Sequence, residues 1–313
     1  LITKLHNKIK MDFEVERMEP LFATEEDYEA FNKRQSAYQV KKGDLSQYHG
    51  NCYLGIDAGS TTTKTALVGE DGTLLYSFYS NNNGSPLKTA IKSIKEIYDM
   101  MPEGAHIVRS CSTGYGEALL KSALLLDEGE VETVAHYNAA AFFEPDVDCI
   151  LDIGGQDIKA ISIDENGAVK NFLMNDKCAA GTGRFLEMMA RTLGLSLEEM
   201  SVKGLDWKEN IVISSMCTVF AESEVVSLVA QNKDVADIIH GLNVSVASKV
   251  GALAARLGQN NPGEYMMTGG VSKNQGLVQT LEEKLSAKLV ISENAQLCGA
   301  LGAALYAADM IAQ

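Results

Sequence analysis

An internal repeat constrains the fold of this chain more than any other feature of its sequence. Two segments align without gaps at an offset of 95 positions, and the identities fall on matching strand and turn positions. The identical pairs are Asp57 with Asp152, Gly59 with Gly154, Lys64 with Lys159, Glu70 with Glu165 and Gly72 with Gly167. Self-similarity at a fixed offset indicates a duplicated structural unit. The sequence therefore predicts two related halves, each with a strand, a glycine-containing loop and a hairpin.

Hydrophobic patterning predicts that strands alternate with helices in both halves. CYLGID, HIVRSCST, CILDIGG and EYMMT are short apolar runs typical of strands, and KLVIS is another. A helix opens at Pro86, and further helices are expected at 117–126, 132–143, 183–193, 218–231, 235–257, 273–286 and 295–311. This alternation predicts an α/β fold built from layers.

The chain divides into an N-terminal extension and two predicted lobes. Residues 1–49 are polar and weakly patterned, and we expect a short helix and an extended lead-in there, an extension or linker within a longer protein. The first lobe is expected at 50–145 and the second at 146–294. The last helix, 295–313, is expected to return to the first lobe.

Composition excludes several classes of function. The formal net charge of −15 disfavours binding to DNA or RNA, although a backbone cradle and Mg²⁺ can still hold a triphosphate inside an acidic protein. The apolar run at 297–308 is shorter than the roughly 20 residues that a membrane span needs. Six cysteines without close-set pairs argue against a secreted disulfide framework. We expect a cytoplasmic protein.

Two loops carry the pattern of phosphate-binding turns. In the first, Asp57 ends a strand and is followed by a turn rich in glycine and hydroxyl groups, with Lys64 beyond it. Such a turn can bind phosphate oxygens through backbone N–H groups, and a carboxylate at the strand end can hold hydrated Mg²⁺. Alone, this loop could equally be an ordinary hairpin. The second loop, from Asp152 to Asp157, repeats the arrangement, and two such loops from two lobes can clamp a polyphosphate.

A third turn contains two consecutive glycines between a strand and a helix. Its sequence is Thr268-Gly269-Gly270-Val271-Ser272-Lys273-Asn274. Glycines here would allow a flat ring to approach the backbone. Gly-Gly turns are common, so this feature alone is not specific.

Together these motifs resemble those of a known superfamily. GIDAGSTTTK, DIGGQD and TGGVSKN are similar to the first phosphate, second phosphate and adenosine motifs of the actin, sugar kinase and heat-shock chaperone superfamily. The resemblance implies a two-lobed actin-like, ribonuclease H-like ATPase fold with duplicated lobes. More narrowly, residues 52–313 resemble the ATP-dependent activators of 2-hydroxyacyl-CoA dehydratases and of benzoyl-CoA reductase.

The motifs assign a role to each candidate residue of the nucleotide site. Asp57 and Asp152 are expected to hold Mg²⁺ and position water, and Gln156 to orient the attacking water. The phosphate contacts are expected from Gly59, Ser60, Thr61, Thr62, Lys64, Gly154 and Gly155. The adenosine contacts are expected from Gly269, Gly270 and Asn274.

Two cysteines are candidate ligands of an iron–sulfur cluster. Cys178 and Cys217 each precede a predicted helix, whose N-terminus favours a thiolate. Their spacing alone favours small buried side chains instead. The family resemblance implies that matching cysteines of two subunits, or of a sister domain in a longer chain, hold one 4Fe–4S cluster. The remaining cysteines are expected in the core: Cys52, Cys111, Cys149 and Cys298.

Three further features leave alternatives open. The Ser112-Thr-Gly114-Tyr-Gly116 turn either lines the nucleotide cleft or simply joins a strand to a helix. Glu132 and His136 are four positions apart on a predicted helix, so they form either a catalytic or metal pair or a surface pair. Arg184 could pair with a carboxylate near the cluster or with a partner.

The resemblance implies an ATPase that is coupled to electron transfer. Its partners would be a CoA-ester dehydratase or reductase and an electron donor such as a ferredoxin or flavodoxin, and the chain would act as a homodimer. Two alternatives remain at this level: a small-molecule, sugar-type kinase of the same fold, and a nucleotide-binding regulatory domain. Neither nucleic acid nor a membrane is expected as a partner.

Overall fold

The fold consists of two five-stranded sheets with helices between and around them. A computed structural model of the chain describes residues 25–35, 38–214, 217–258 and 263–312. Residues 1–24, half of the predicted N-terminal extension, lie outside the described residues. The helices are α1 (Glu25–Gln35), α2 (Pro86–Met100), α3 (Glu117–Leu124), α4 (Glu132–Phe143), α5 (Gly183–Leu193), α6 (Leu197–Lys203), α7 (Thr218–Ala230), α8 (Val235–Arg256), α9 (Gln275–Leu285) and α10 (Cys298–Ala312).

The two sheets have the same topology. The first contains β1 (Gly50–Ala58), β2 (Thr62–Gly69), β3 (Leu74–Asn81), β4 (Ala105–Thr113) and β5 (Glu128–Gly129) in the order β3-β2-β1-β4-β5. The second contains β6 (Cys149–Ile153), β7 (Ile158–Ile163), β8 (Val169–Asn175), β9 (Tyr265–Thr268) and β10 (Leu289–Val290) in the order β10-β9-β6-β7-β8. In each sheet an antiparallel three-stranded meander is followed by parallel strands.

The duplication predicted from the sequence is confirmed down to the strand register. Asp57 pairs with Lys64 in the first sheet, and Asp152 pairs with Lys159 at the equivalent position of the second. Each hairpin has a bulge at the same place, after Leu67 and after Ser162. The turn glycines, Gly72 and Gly167, have φ values of 75° and 74°, in the left-handed region that favours glycine.

Two helices, α4 and α10, pack together and join the two halves, since α10 packs against the first sheet and α4 contacts β6 and β8 of the second. Their side chains share one buried cluster with Tyr53 and Ala66 of the first sheet and with Ile150 and Met266 of the second. The close approach of α10 depends on glycine. A Cβ atom at Gly55 would clash with the backbone of α10 at Ala300 and Ala304.

The part of the N-terminal extension that the structure describes packs against both sheets. Phe31 of α1 belongs to the core of the second sheet, and Leu45 belongs to that of the first. Arg34 donates two hydrogen bonds to the buried carboxylate of Glu282, at 2.6 and 2.9 Å. The extended segment at Lys42 forms a parallel bridge with Leu74. The division of the chain at 49/50 and 145/146 remains a prediction.

Element ends differ from the sequence prediction where capping intervenes. Helix α9 begins at Gln275 rather than near 273, because residues 270–273 form a 3₁₀ turn and the Asn274 side chain accepts a hydrogen bond from the amide of Leu277. Helix α10 begins at Cys298, after a second 3₁₀ turn. Strand β10 keeps only two residues of the KLVIS run. Local side-chain bonds of this kind decide helix starts and are poorly visible in periodicity.

One described helix, α8, is long and apolar enough to cross a membrane by length and composition alone. Most of its apolar stretch, 61%, is buried inside the protein, where it forms much of the core behind the second sheet. Its apolarity is therefore accounted for by packing within the fold.

We predict that Gly55→Ala destabilises the protein, because the added methyl group would push α10 away from β1. Overpacking of this kind costs about 1–3 kcal/mol, or more when backbone must move. The measurement is the free energy of unfolding in urea. As a control, Gly251→Ala in α8 would meet only the flexible Lys284 side chain, at 3.3 Å, and should be neutral or stabilising. Equal stability of both variants would contradict the close packing of α10.

Candidate functional site

A cavity of about 610 Å³ lies where the two phosphate-type loops face each other. Its volume is in the range of small-molecule sites. Both halves contribute to its wall, because strands β1 and β6 end at the same opening. Its lining includes Asp57, Gly59, Ser60, Thr61, Thr62, Lys64, Asp152, Gly154, Gly155, Gly269, Gly270 and Asn274. The structure thus brings together every residue that the sequence analysis assigned to the nucleotide site, with the exception of Gln156.

In the first loop, a buried acid is paired with a half-buried lysine. Lys64 donates a hydrogen bond to Asp57 Oδ2 at 2.8 Å, across the pair of strands. Burial alone would lower the pKa of Lys64, but the charge and hydrogen bond of Asp57, together with the charges of Asp152 and Glu132, outweigh burial and raise it. Lys64 therefore stays charged and leaves the second carboxylate oxygen of Asp57 available.

That second oxygen and one hydroxyl group of the same loop are unsatisfied. Within the described part of the chain, the buried atoms Asp57 Oδ1 and Thr61 Oγ1 have no hydrogen-bond partner. Buried polar groups are costly when unpaired. Since both residues line the cavity, a bound ligand or hydrated cation would satisfy them.

The second loop holds its acid in a series of hydrogen bonds. The Thr268 hydroxyl donates to Asp152 Oδ1 at 3.0 Å and lies 3.0 Å from His136 Nδ1. Because the hydroxyl has only one proton to donate, His136 Nδ1 must be the donor to Thr268. Burial would raise the pKa of Asp152, but His136, Lys159 and the Thr268 bond outweigh burial and hold it low.

Lys159 differs from its counterpart in the first half, because it contacts three carboxylates. Its Nζ atom lies 2.6 Å from Asp157 Oδ2, 3.2 Å from Glu132 Oε1 and 3.6 Å from Asp152 Oδ2. Burial raises the pKa of Glu132, although Lys159 opposes the rise. A carboxylate with a raised pKa at the wall of a cleft is a better proton acceptor than an exposed one.

Three residues of this wall lie close enough together to coordinate a cation. Ligand atoms of Glu132, His136 and Asp152 all lie within 4.8 Å of one another. The carboxylate oxygens suit Mg²⁺, whereas the imidazole nitrogen does not. The cavity lining also has more acidic side chains than lysines, so a triphosphate would need a divalent cation to enter it.

Glycines leave room for a ligand along both loops. A Cβ atom at Gly154 would lie 2.7 Å from Asp157 Oδ1, and one at Gly155 would lie 2.9 Å from Thr61 Oγ1, across the cleft. Gly269 has φ of 88°, and a Cβ atom there would clash with the Ile153 carbonyl oxygen. Any side chain at these positions would narrow the cradle or displace backbone.

The cavity lining also includes residues that suit a flat ring. Gly270 and Asn274 line the cavity, as do Leu197 and Val202 of α6. The Asn274 side-chain oxygen is already used to cap α9. The side-chain oxygen of Asn274 is therefore occupied by the helix cap, and only the side-chain NH₂ group remains to bind a ligand.

One predicted site residue lies outside the cavity, and the sequence prediction missed several residues that are candidates for a functional role. Gln156 is exposed and does not line the cavity, whereas its neighbour Asp157 does. The sequence places Asp157 at the end of the second loop, but no functional role was predicted for it. Tyr115, from the turn whose purpose was left open, lines the cavity and donates to Asp157 Oδ2 at 3.3 Å. Thr268 could have been identified as a candidate from the sequence, because it directly precedes the two glycines of the third turn.

The six cysteines separate into two groups. Cys52, Cys111, Cys149 and Cys298 are buried, as predicted. Burial raises the pKa of Cys52 to about 11 and that of Cys111 and Cys149 to about 12, so these thiols are unreactive.

Cys178 and Cys217 are both exposed, so the interpretation of them as buried core side chains is wrong. Cys217 is the N-cap residue of α7. Cys178 lies five positions before α5, whose N-cap is Thr182, so only Cys217 directly adjoins a helix start. The sequence left the role of Arg184 open. In the structure it forms an exposed ion pair with Glu187, with 3.3 Å between Nη1 and Oε2.

Comparison with known proteins identifies the family. Residues 54–307 match the BadF/BadG/BcrA/BcrD ATPase family, and the chain belongs to it. The chain is 42% identical over 259 residues to the (R)-2-hydroxyglutaryl-CoA dehydratase activating ATPase of Acidaminococcus fermentans, and the match covers 81% of this chain and 96% of the relative. It is 41% identical over 256 residues to the activator of lactoyl-CoA dehydratase of Anaerotignum propionicum, covering 81% and 96%. A component of the benzoyl-CoA reductase of Thauera aromatica is 30% identical over 265 residues, covering 81% and 92%.

Solved structures confirm the fold class. The activator of the 2-hydroxyisocaproyl-CoA dehydratase from Clostridium difficile, with bound ADPNP, superimposes with a TM-score of 0.76 at 35% identity, covering 83% of this chain and 95% of the other. A ROK family glucokinase from Streptomyces griseus has a TM-score of 0.52 at 15% identity, covering 82% and 98%, which shows the fold alone. These findings favour an ATPase related to dehydratase activators over the sugar kinase and the regulatory domain.

We predict that Asp152→Asn lowers ATP turnover by about 100-fold or more, with a much smaller effect on nucleotide affinity. The amide can still accept the Thr268 hydrogen bond but loses the charge that would hold a cation or water. Steady-state turnover and nucleotide titration would measure the two effects. Glu165→Gln, in the exposed turn of the β7–β8 hairpin, is the matched carboxylate control and should change neither. Equal losses of turnover and affinity would contradict this role for Asp152.

We also predict an acid limb in the pH profile of ATP turnover that depends on Glu132. A raised pKa means that Glu132 takes up its proton at a higher pH than an exposed glutamate, so the proton-accepting form is lost earlier as the pH falls. Turnover should therefore decline on the acid side above the ordinary pKa of 4.5. Glu132→Gln should lose most turnover and this limb together. A variant that retained both would exclude Glu132 as the proton acceptor.

Proposed function

We propose that this chain, as a member of the BadF/BadG/BcrA/BcrD ATPase family, is an ATP-dependent activator of a CoA-ester dehydratase or reductase. It would bind ATP with Mg²⁺ in the cavity and use hydrolysis to drive the transfer of one electron from a shared 4Fe–4S cluster to that partner. The observation that carries the proposal is the direct connection between the second phosphate loop and the two exposed cysteines.

That connection runs through backbone hydrogen bonds. The amide of Gly183 donates to the Gly154 carbonyl, and the amide of Arg184 donates to the Gly155 carbonyl, both at 2.9 Å. Gly183 begins α5, five positions after Cys178. A change in the second loop on loss of a phosphate group would therefore be transmitted to the start of α5, because a helix moves as a rigid unit.

The connection continues to the second cysteine. The Thr192 hydroxyl of α5 lies 3.3 Å from Glu222 of α7, the helix that follows Cys217. Helices α5 and α7 pack against the same core, which also includes Phe185 and Val225. Movement of α5 would therefore change the position of Cys178 relative to Cys217.

The nucleotide would be held by residues from both halves. Ser60, Thr61, Thr62 and Lys64 would contact phosphates from one side, with Gly59 shaping the turn. Gly154 and Gly155 would contact them from the other side, and Gly269, Gly270 and the Asn274 amide would face adenosine. The unpartnered oxygens of Asp57 and Thr61 fit a triphosphate with its hydrated metal ion.

Hydrolysis would depend on the acids at the wall of the cleft. Asp57 and Asp152 would hold Mg²⁺, which neutralises charge on the phosphates. Glu132 would accept the proton of the attacking water, in place of the orienting role expected of Gln156. Tyr115 and Lys159 would hold Asp157 and Glu132 in position.

The cysteines fit a shared cluster by number and exposure. Two thiolates cannot complete a four-ligand site, and both thiols are exposed, so a second copy of the chain or a sister domain could supply the other two. When bound, the 4Fe–4S cluster would supply a one-electron carrier. We expect a homodimer in the cytoplasm that receives electrons from a ferredoxin or flavodoxin.

We predict that the protein purified without oxygen contains about two irons and two acid-labile sulfides per chain, as one shared 4Fe–4S cluster requires. Cys178→Ser/Cys217→Ser should contain neither, while it keeps ATP binding, because the cysteines lie outside the cavity. The measurements are metal and sulfide analysis, the visible spectrum and nucleotide titration.

Cys52→Ala is the matched control, since that thiol is buried in the first core and should not affect iron content. Delivery of electrons to a dehydratase or reductase by the double serine variant would overturn the proposed function. The proposed function would also be overturned if the wild-type protein folds and binds ATP but takes up no iron. That result would have to hold both for the dimer and for the chain combined with a sister domain.

A further inference from the structure

The described part of the N-terminal extension reaches the wall of the nucleotide cavity through helix α1. This helix lies outside residues 54–307 that match the family, so its contacts are additions to the shared fold. The Tyr28 hydroxyl of α1 donates a hydrogen bond to Gln275 Oε1 at 3.2 Å. Gln275 is the first residue of α9 and lines the nucleotide cavity. A side chain of α1 therefore contacts a residue of the nucleotide site directly.

The wall between α1 and the nucleotide cavity is shared with a second cavity. This smaller cavity, of about 210 Å³, includes Phe31 and Asn32 of α1 in its lining. Lys273 and Gln275 line both cavities. These two residues therefore separate α1 from the nucleotide cavity, and a shift of α1 can reach a bound ligand through them.

The contact with Tyr28 decides which polar group of Gln275 remains for a ligand. The backbone amide of Gln275 is occupied, because it donates to Ser201 Oγ at 2.8 Å. The side-chain oxygen accepts the hydrogen bond from Tyr28, which leaves the two donors of the side-chain NH₂ group. Gln275 directly follows Asn274, which the motifs assign to adenosine. The NH₂ group of Gln275 therefore suits an acceptor atom of the base or the ribose.

Helix α1 depends on docking for its own stability, because an isolated helix of 11 residues is marginal in water. Tyr28, Phe31 and Arg34 are spaced by three positions, which places them along one face of the helix. Phe31 is buried in the core of the second sheet, and Arg34 compensates the buried carboxylate of Glu282. Anchors of this kind on a short helix give a docked state that a modest change in free energy can shift.

We propose that α1 regulates nucleotide binding, with Tyr28 as the positioning residue that orients Gln275 for the base or ribose of ATP. This inference rests on the proposed function, because it assigns regulation to the same nucleotide site. Coupling between two binding events is reciprocal. Docked α1 should therefore raise the affinity for the nucleotide, and the bound nucleotide should stabilise the docked state of α1 by the same factor.

The first experiment compares the wild-type chain with Tyr28→Phe, which removes only the hydroxyl group. The dissociation constant of ADPNP with Mg²⁺ should rise about fivefold, as expected for the loss of one hydrogen bond. Inorganic triphosphate should bind equally well to both proteins, since it has neither base nor ribose. An unchanged affinity for ADPNP, or an equal loss for both ligands, would overturn the positioning role.

The matched control is Tyr48→Phe, in the same N-terminal extension. The Tyr48 hydroxyl donates to the Asn51 carbonyl oxygen at 3.0 Å, and neither residue lines the nucleotide cavity. This variant should bind both ligands as the wild type does. A loss of ADPNP affinity equal to that of Tyr28→Phe would show a general effect of the extension and would overturn the specific role of Tyr28.

A double-mutant cycle tests whether Tyr28 acts through Gln275. Gln275→Met keeps the approximate size of the side chain and removes both of its polar atoms. In the Gln275→Met background, Tyr28→Phe should have no further effect on the affinity for ADPNP. A further fivefold loss in the double variant would show that Tyr28 acts by another route and would overturn the proposal.

Hydrogen exchange measures the reciprocal effect on α1, and it requires neither the cluster nor a partner protein. ADPNP with Mg²⁺ should slow amide exchange in residues 25–35 of the wild type and of Tyr48→Phe, and less so in Tyr28→Phe. A wild type that binds ADPNP with no change of exchange in α1 would overturn this inference and leave the proposed function intact. A wild type that binds no nucleotide would overturn both.

Discussion

Two buried aspartates at one opening are the constraint on which the rest of the site depends. Asp57 and Asp152 are each almost fully buried, and a buried carboxylate must be compensated by cations or hydrogen bonds. The same solution is used twice, because each aspartate is in register with a lysine on the neighbouring strand. The duplicated hairpin therefore supplies both the charge and its compensation.

The two halves then differ in the way the compensation is shared. Lys64 serves Asp57 alone, whereas Lys159 is divided among three carboxylates, one of them Glu132 from a helix. Compensation is thus incomplete in the second half, and Glu132 keeps a raised pKa. The asymmetry gives the two halves different charge arrangements at the same opening.

The cleft and the segments that carry the two cysteines are connected by short backbone and side-chain contacts. The second phosphate loop is bonded to the start of α5, and α5 contacts α7 through Thr192. The N-terminal segment adds contacts with both halves through Phe31 and Leu45, and it lies outside residues 54–307 that match the family.

The sequence by itself determined the duplication, the α/β class and the residues of the two loops. These follow from local information: Asp57, Asp152 and their lysines recur at one spacing, and strand periodicity is set by neighbouring residues. The sequence placed Cys178 and Cys217 before predicted helices, but spacing alone favoured buried side chains for both, and only the family resemblance suggested their ligand role. Helix starts such as Gln275 were missed because they depend on caps formed by individual side chains.

Only the tertiary structure decided which groups face one another across the chain. Asp157 rather than Gln156 lines the cavity, and both lie in the bend between β6 and β7, where strand alternation does not determine which side chain faces inward. The network of His136, Thr268 and Asp152 joins residues more than 100 positions apart. Burial and pKa depend on such distant contacts, and a linear sequence does not contain them as a local pattern.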